Sequence, residues 1–161
     1  MEESVRKVDA GAYLSALEAL LREGKEVSLV VTGNSMSPFL VHGRDSVILA
    51  KADGGWKKGD IALFQRKTSE YILHRISRVE TAGACFFIGD GQLAEEGPIE
   101  PEQILGRVIA ARRKGKWEKP GTFLWDFFER VWLRMIPLRP LCLRIYRGVM
   151  RKVRCGRVAG R

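Results

Sequence analysis

A small, mainly β, mostly antiparallel domain is what this sequence predicts, with one helix before it and a basic helical extension after it. Three observations lead there. Between residues 26 and 112 the chain divides into six short runs rich in β-branched and aromatic residues, separated by Gly-containing turns. That is the pattern of strands joined by tight connections. On either side of this region apolar residues recur every three or four positions instead of every two, the period of a helix. The charge is divided as well: residues 112–161 carry 15 Lys and Arg against 3 Asp and Glu, a net +12, while residues 1–111 carry a net −3. The expected organisation is a helix within 1–25 packed on the domain, a β domain over 26–115 and a basic amphipathic extension over 116–161.

The first element is a helix over 12–23, where Leu14, Leu17, Leu20 and Leu21 fall at helical spacing and Gly24 follows as a stop. Strands are then expected over 26–32 and 45–51, where Val47 and Leu49 alternate against Ser46, Ile48 and Ala50. Asp53-Gly54-Gly55 and Lys57-Lys58-Gly59-Asp60 read as turns. Further strands are expected over 61–66, 70–80, 85–88 and 105–112, with one helical turn over 101–104. Residues 122–135 return to helical period, with Leu124, Phe127, Phe128, Val131, Trp132 and Met135 on one face; Pro137 and Pro140 are expected to break that helix.

Residues 141–155 form a second amphipathic stretch. Leu141, Ile145, Val149 and Val153 make its apolar stripe, and Arg144, Arg147, Arg151 and Arg154 crowd its polar side. Two uses follow for 122–155. It is an interfacial membrane helix, with apolar residues in the acyl boundary and cations against anionic headgroups, or a helical hairpin packed on its own domain. Nucleic acid ranks below both, because no reading motif accompanies the charge.

Composition bounds the remaining classes. The 161 residues are 45% hydrophobic and 29% charged, enough for a packed core. Cys85, Cys142 and Cys155 are odd in number and widely spaced, so neither a disulfide framework nor a zinc site is expected, and a reducing compartment is the simpler reading. No cofactor or metal motif is present. Met1 to Lys7 is not followed by the apolar segment of a signal peptide, and no run of 18 apolar residues exists. The expected location is the cytoplasm, with the extension as a peripheral attachment to the inner face of the membrane.

The chemistry centres on Gly33-Asn34-Ser35-Met36-Ser37-Pro38, which lies between a strand and the short apolar turn Phe39-Leu40-Val41. A serine held there has an exposed hydroxyl and backbone N–H groups beside it. A nucleophile needs both, an oxygen to attack and donors for the charge that develops; the plainer reading is a polar turn. Of the two histidines, His42 sits in the following turn and is expected to face solvent, while His74 shares a strand face with Ile72 and Ile76. A neutral imidazole is the best-matched base for a serine, although a histidine on such a face is usually a core residue. Candidates for a group that orients it are Glu80, Asp90, Glu95 and Glu96. Asp90, in Gly89-Asp90-Gly91-Gln92, also reads as a plain hairpin turn. Lys57, Lys58 and Lys67 are alternative bases, but they sit in polar turns.

Five patches in order resemble the signal peptidase I and LexA-like serine peptidase superfamily. Gly33 to Pro38 resembles its Ser-Met-x-Pro nucleophile box, and Lys58-Gly59-Asp60-Ile61 the start of the following strand. Leu73-His74-Arg75-Ile76 resembles the base-bearing strand of the histidine-type members, the archaeal, endoplasmic-reticulum and spore-former signal peptidases. Gly89-Asp90-Gly91-Gln92 resembles the later Gly-Asp box, and Gln103 to Val108 the closing segment. The resemblance covers residues 26–113, with 39 residues from Ser35 to His74 and 16 from His74 to Asp90. It implies a small antiparallel β fold of that type and a serine endopeptidase cleaving a peptide or a leader sequence at small residues. Ser35 would be the nucleophile, His74 the general base, and Asp90 the group that orients or charges the site. Met36, Phe39 and Gly33 would line the substrate site. Gly33 stands where many signal peptidases carry a second, hydroxyl oxyanion donor, Gly91-Gln92 replaces an Asn-rich pair, and the usual N-terminal membrane anchor has no counterpart. Two rivals follow: a LexA-like self-cleaving regulator, for which Ala10-Gly11 is a bond of the right kind, and an inactive peptide-binding or membrane-associated module.

Overall fold

The computed structural model describes residues 10–52 and 55–158, with side chains over 13–52 and 55–151. Asp53 and Gly54 of the expected turn, and the side chains of Val153, Arg154 and Cys155, lie outside the described residues. The chain forms one antiparallel sheet of eight strands, with a helix before it and a helix after it. Helix α1 spans Ala10–Arg22. The strands are β1 (Val27–Val30), β2 (Ser46–Ala50), β3 (Ile61–Gln65), β4 (Tyr71–Val79), β5 (Cys85–Ile88), β6 (Glu96–Ile99), β7 (Ile104–Arg113) and β8 (Lys116–Glu118). Their spatial order is β1-β2-β7-β3-β4-β5-β6, with β8 folded back on β7. Through β8 the sheet runs three residues past the expected boundary at 115.

Two of the eight strands have no counterpart in the sequence reading. Strand β6 reads Glu-Gly-Pro-Ile, a sequence without β period that is tolerated because it sits at the sheet edge, where a missing N–H breaks no ladder. Strand β8 is only three residues long. The expected single turn at 101–104 is a 3₁₀ turn over Pro101–Gln103.

The sheet is covered on both faces. Ile61 and Leu63 of β3 join one core with Leu17, Leu21, Met36, Phe39, Leu40, Val47, Leu49 and Val108. Ala62 and Phe64, pointing the other way, join a second core with Ile76, Cys85, Phe87, Ile99 and Ile104. Each large apolar side chain fully buried this way contributes about 1.5–3 kcal/mol.

The extension packs its first half on the larger core. Helical turns run over Phe123–Asp126 (α2), Phe127–Val131 and Trp132–Arg134. The middle segment is a π-helix, which holds more residues per turn than an α-helix. Of the expected face, Phe128 and Trp132 are buried and Leu124 and Phe127 pack against the core, but Val131 is exposed, and Trp125 and Leu133 are buried in addition. The break expected at Pro137 and Pro140 is present: the turns end at Arg134, a 3₁₀ turn spans Ile136–Leu138, and α3 (Arg139–Val158) starts afresh with Pro140 in its first turn, where a missing N–H is harmless. No helix among the described residues is long and apolar enough to cross a membrane.

Candidate active site at the Ser35 turn

Strands β1 and β2 form a hairpin in which Val30 faces Ser46, and residues 31–45 are its long connection. The sequence fixes this loop at several points. Gly33 has φ +79°, a conformation closed to most side chains, and its N–H donates to Nδ1 of His42 at 3.0 Å. His42 is thus exposed, as expected, and braces the loop. The Ser37 N–H donates to the Asn34 carbonyl at 3.1 Å and the Leu40 N–H to that of Met36 at 2.9 Å. At the far end Asp45, 1% exposed, accepts from the Val41 N–H at 2.9 Å, the Lys114 N–H at 3.2 Å and the Arg44 guanidinium at 2.7–2.8 Å. Burial works to raise the Asp45 pKa, but Arg44 and these N–H donors outweigh it and hold the carboxyl below its usual value. Arg113 donates to the carbonyls of Pro38 and Phe39.

Ser35 itself is half-buried. Its hydroxyl and its N–H have no hydrogen-bond partner among the described residues. Its carbonyl accepts from the Gly91 N–H at 2.7 Å, which joins the turn to the loop after β5. That loop is shaped around it. A Cβ on Gly89 would lie 2.5 Å from the Ser35 carbonyl oxygen, and one on Gly91 would lie 2.7 Å from that of Ser37. These glycines are required for the close approach of two backbones and not for a hairpin turn. Gly89→Ala is therefore expected to destabilise the protein by about 1–3 kcal/mol and to displace Ser35. Urea unfolding checks the first effect, and the reactivity of Ser35 checks the second.

His74 lies on β4 opposite Ala62 of β3. It is 2% exposed, and the Phe64 ring packs edge-on to it at 6.2 Å. Its Nδ1 is buried without a hydrogen-bond partner among the described residues. The near carboxylate is Glu96, with Oε2 3.9 Å from Nδ1; Glu96 is itself held by Arg66, whose Nη2 donates to Oε2 at 2.7 Å. Burial lowers the His74 pKa to about 4, helped by Arg66 and opposed by Glu96 and Asp90. The imidazole is therefore neutral at pH 7, the form in which it accepts a proton. Lys57, Lys58 and Lys67 are exposed, with none of the burial that would make a lysine a base.

Asp90 is not hydrogen-bonded to His74. Both of its oxygens accept from Arg75, at 3.0 Å each, and Arg75 also donates to the Gly59 carbonyl at 2.9 Å. Arg75 follows His74 on β4 and so points to the opposite face; Arg75 and Asp90 are both fully buried. The loop that carries Asp90 is also gripped from the extension. Trp132 Nε1 donates to the Asp90 carbonyl at 2.8 Å, and the buried Arg139 donates to the carbonyls of Gly89 at 3.0 Å and Gln92 at 2.9 Å. Direct orientation of the imidazole, one of the two roles the resemblance implies for Asp90, is not what this geometry contains.

Met36 and Phe39 are 2% and 0% exposed. Phe39 packs against Trp125 and Phe128 at 5.8 and 4.9 Å and beneath the Arg75 guanidinium at 5.2 Å. As folded, both anchor the turn from below and present no free surface to a substrate. Open space lies elsewhere: a cavity of about 600 Å³ has Asn34, Ser37 and Gly91 on one side and Leu143, Tyr146 and Met150 of α3 on the other. Ser35 and Asp90 are thus brought together through their backbones, and His74 stands on the strand beside their shared loop. Sequence reasoning assigned no role at the site to Arg75, Arg139 or Trp132. An arginine inside the run Leu73-His74-Arg75-Ile76 was the available signal for the first of them. Comparisons with protein-family models, curated proteins and solved structures returned no match to this chain.

Proposed function

We propose that the chain is a serine endopeptidase of the signal peptidase and LexA-like type, in which Ser35 is the nucleophile and His74 the general base. The observation that carries this reading is the buried, neutral His74, on a strand tied through Gly89–Gly91 to the serine turn. His74 takes the Ser35 proton as Oγ attacks the scissile carbonyl, then gives it to the leaving amine. Water, deprotonated by the same imidazole, releases the acyl group. The free Ser35 N–H donates to the oxyanion. Glu96, on the Nδ1 side of the ring, is the carboxylate placed to orient it and offset its charge. The Arg75–Asp90 pair holds the loop against which the serine turn rests. Peptides or leader sequences with small residues at the cut are the substrate class that the resemblance implies.

The self-cleaving reading is disfavoured by the position of its candidate bond. Ala10-Gly11 lies at the start of α1, whereas peptidases grip extended chain. A serine-directed phosphonylating probe followed by intact mass measurement tests the proposal. One adduct is expected on the wild type, none on Ser35→Ala, and much slower labelling on His74→Ala. An unlabelled wild type, or equal labelling of His74→Ala, favours a binding module instead.

A further inference from the structure

Helix α3 leaves unburied the stripe that a helix normally uses for packing. Leu141, Ile145 and Val149 are 59%, 59% and 55% exposed, and Leu138 beside them is 54% exposed. The positions recur every fourth residue and so share one side of the helix. The domain is contacted by a different side, where Leu143 is 6% exposed and Cys142, Tyr146 and Met150 are half-buried. Arg144 and Arg151 are exposed along one edge of the stripe, and Arg147 is exposed beside Leu143, where it and Arg151 also line the cavity under the helix; none of the three has an ion-pair partner among the described residues. No Asp or Glu occurs anywhere in Arg139–Val158. The helix has 20 residues, and no stretch of it is apolar enough to span a bilayer.

We propose that α3 is an in-plane anchor on an anionic lipid surface. The narrow aliphatic stripe enters the acyl boundary, and the arginines at its edge keep their guanidinium groups among anionic headgroups. Charge selects this occupant. A stripe bordered by cations alone suits a surface of uniform negative charge, whereas a second copy of the same helix would set arginines against arginines. The docked geometry has a consequence for the serine turn. The domain side of α3 lines the cavity that Asn34 and Ser37 line from the other side, so Ser35 would stand about one helix diameter, ~10 Å, from the lipid surface. The anchor does not depend on the peptidase reading, and its test does not use enzymatic activity.

The test is co-sedimentation of the full chain with vesicles of phosphatidylcholine alone and of phosphatidylcholine mixed with phosphatidylserine, at low and high salt. Binding is expected to the mixed vesicles and to weaken with salt. The variant carrying Leu141→Gln, Ile145→Gln and Val149→Gln changes only exposed positions, and circular dichroism checks that it is folded. It is expected to partition at least roughly tenfold less. Arg144→Gln, Arg147→Gln and Arg151→Gln together are expected to abolish the preference for phosphatidylserine. Failure of the wild type to bind, or binding by the folded Gln variant equal to wild type, overturns the proposal. So does light scattering that shows a dimer in lipid-free solution dissolved by the same three Gln substitutions, since the stripe would then be an interface between copies.

Discussion

Asp90→Ala is expected to lower the free energy of unfolding by about 3–5 kcal/mol, because it leaves the Arg75 guanidinium buried without a counter-charge. Arg75 is fully buried with two hydrogen bonds to the Asp90 carboxylate and one to the Gly59 carbonyl. Removing the carboxylate discards the two strongest of the three, and no other acid among the described residues pairs with it. Two buried charges in hydrogen-bonded contact contribute less than their attraction suggests, since both have been desolvated. The expected loss is therefore the penalty of the orphaned charge and not the worth of the pair. The double variant Arg75→Met with Asp90→Leu separates the two: it should recover much of the stability that Asp90→Ala loses. Urea unfolding of the three proteins is the measurement. A loss below about 1 kcal/mol for Asp90→Ala, the level of a surface pair, would show that the ion pair does not hold this loop.

Nothing in the sequence pairs Asp90 with Arg75. Asp90 was visible there as a polar residue in a Gly-Asp-Gly turn, but its partner lies 15 residues away on a strand. Period-2 alternation assigns Arg75 to a face without saying that the face is covered. The covering layer comes from the extension: Phe128 and Trp132 are expected on its apolar face and are buried, whereas Trp125 and Leu133, buried beside them, fall outside that face and Val131, expected on it, is exposed. The mainly antiparallel β architecture with a helix at each end was legible, because β2 keeps a clean alternation, buried at Val47 and Leu49 and half-buried between. Strand β6 was not, since Gly97 and Pro98 erase its period. The apolar stripe of α3 is legible in the sequence at Leu141, Ile145 and Val149. Only the structure shows that it turns away from the domain, because Leu143, Tyr146 and Met150 make the contact instead. For the candidate site, the sequence supplied Ser35 and His74 as types and spacings. The residue types leave Glu80, Asp90, Glu95 and Glu96 open as the neighbour of the imidazole and the resemblance favours Asp90, whereas the carboxylate beside Nδ1 is that of Glu96, at 3.9 Å.

His74→Ala is expected to reduce the rate of acyl-enzyme formation by roughly 10²–10⁴-fold, the range for loss of a general acid–base group. The pH profile ties that loss to the imidazole. Its pKa is lowered to about 4 by burial, and the neutral form is the active one, so the rate should stay level from neutral pH downward and fall tenfold per unit only below about pH 4. The same group writes itself into stability. The unfolded chain protonates His74 near pH 6.5 and the folded chain only near 4, so the unfolded state binds the extra proton between these values. Stability is full above pH 6.5 and declines as pH falls to about 4, by about 3 kcal/mol. His74→Gln should remove this slope along with the activity. Glu96→Gln provides the signed control. Glu96 raises the His74 pKa, so its removal should move the acid limb of the rate to lower pH, whereas Asp90→Asn, whose side chain faces Arg75, should act chiefly through stability. A limb that stays in place in Glu96→Gln and moves strongly in Asp90→Asn would return the orienting role to Asp90.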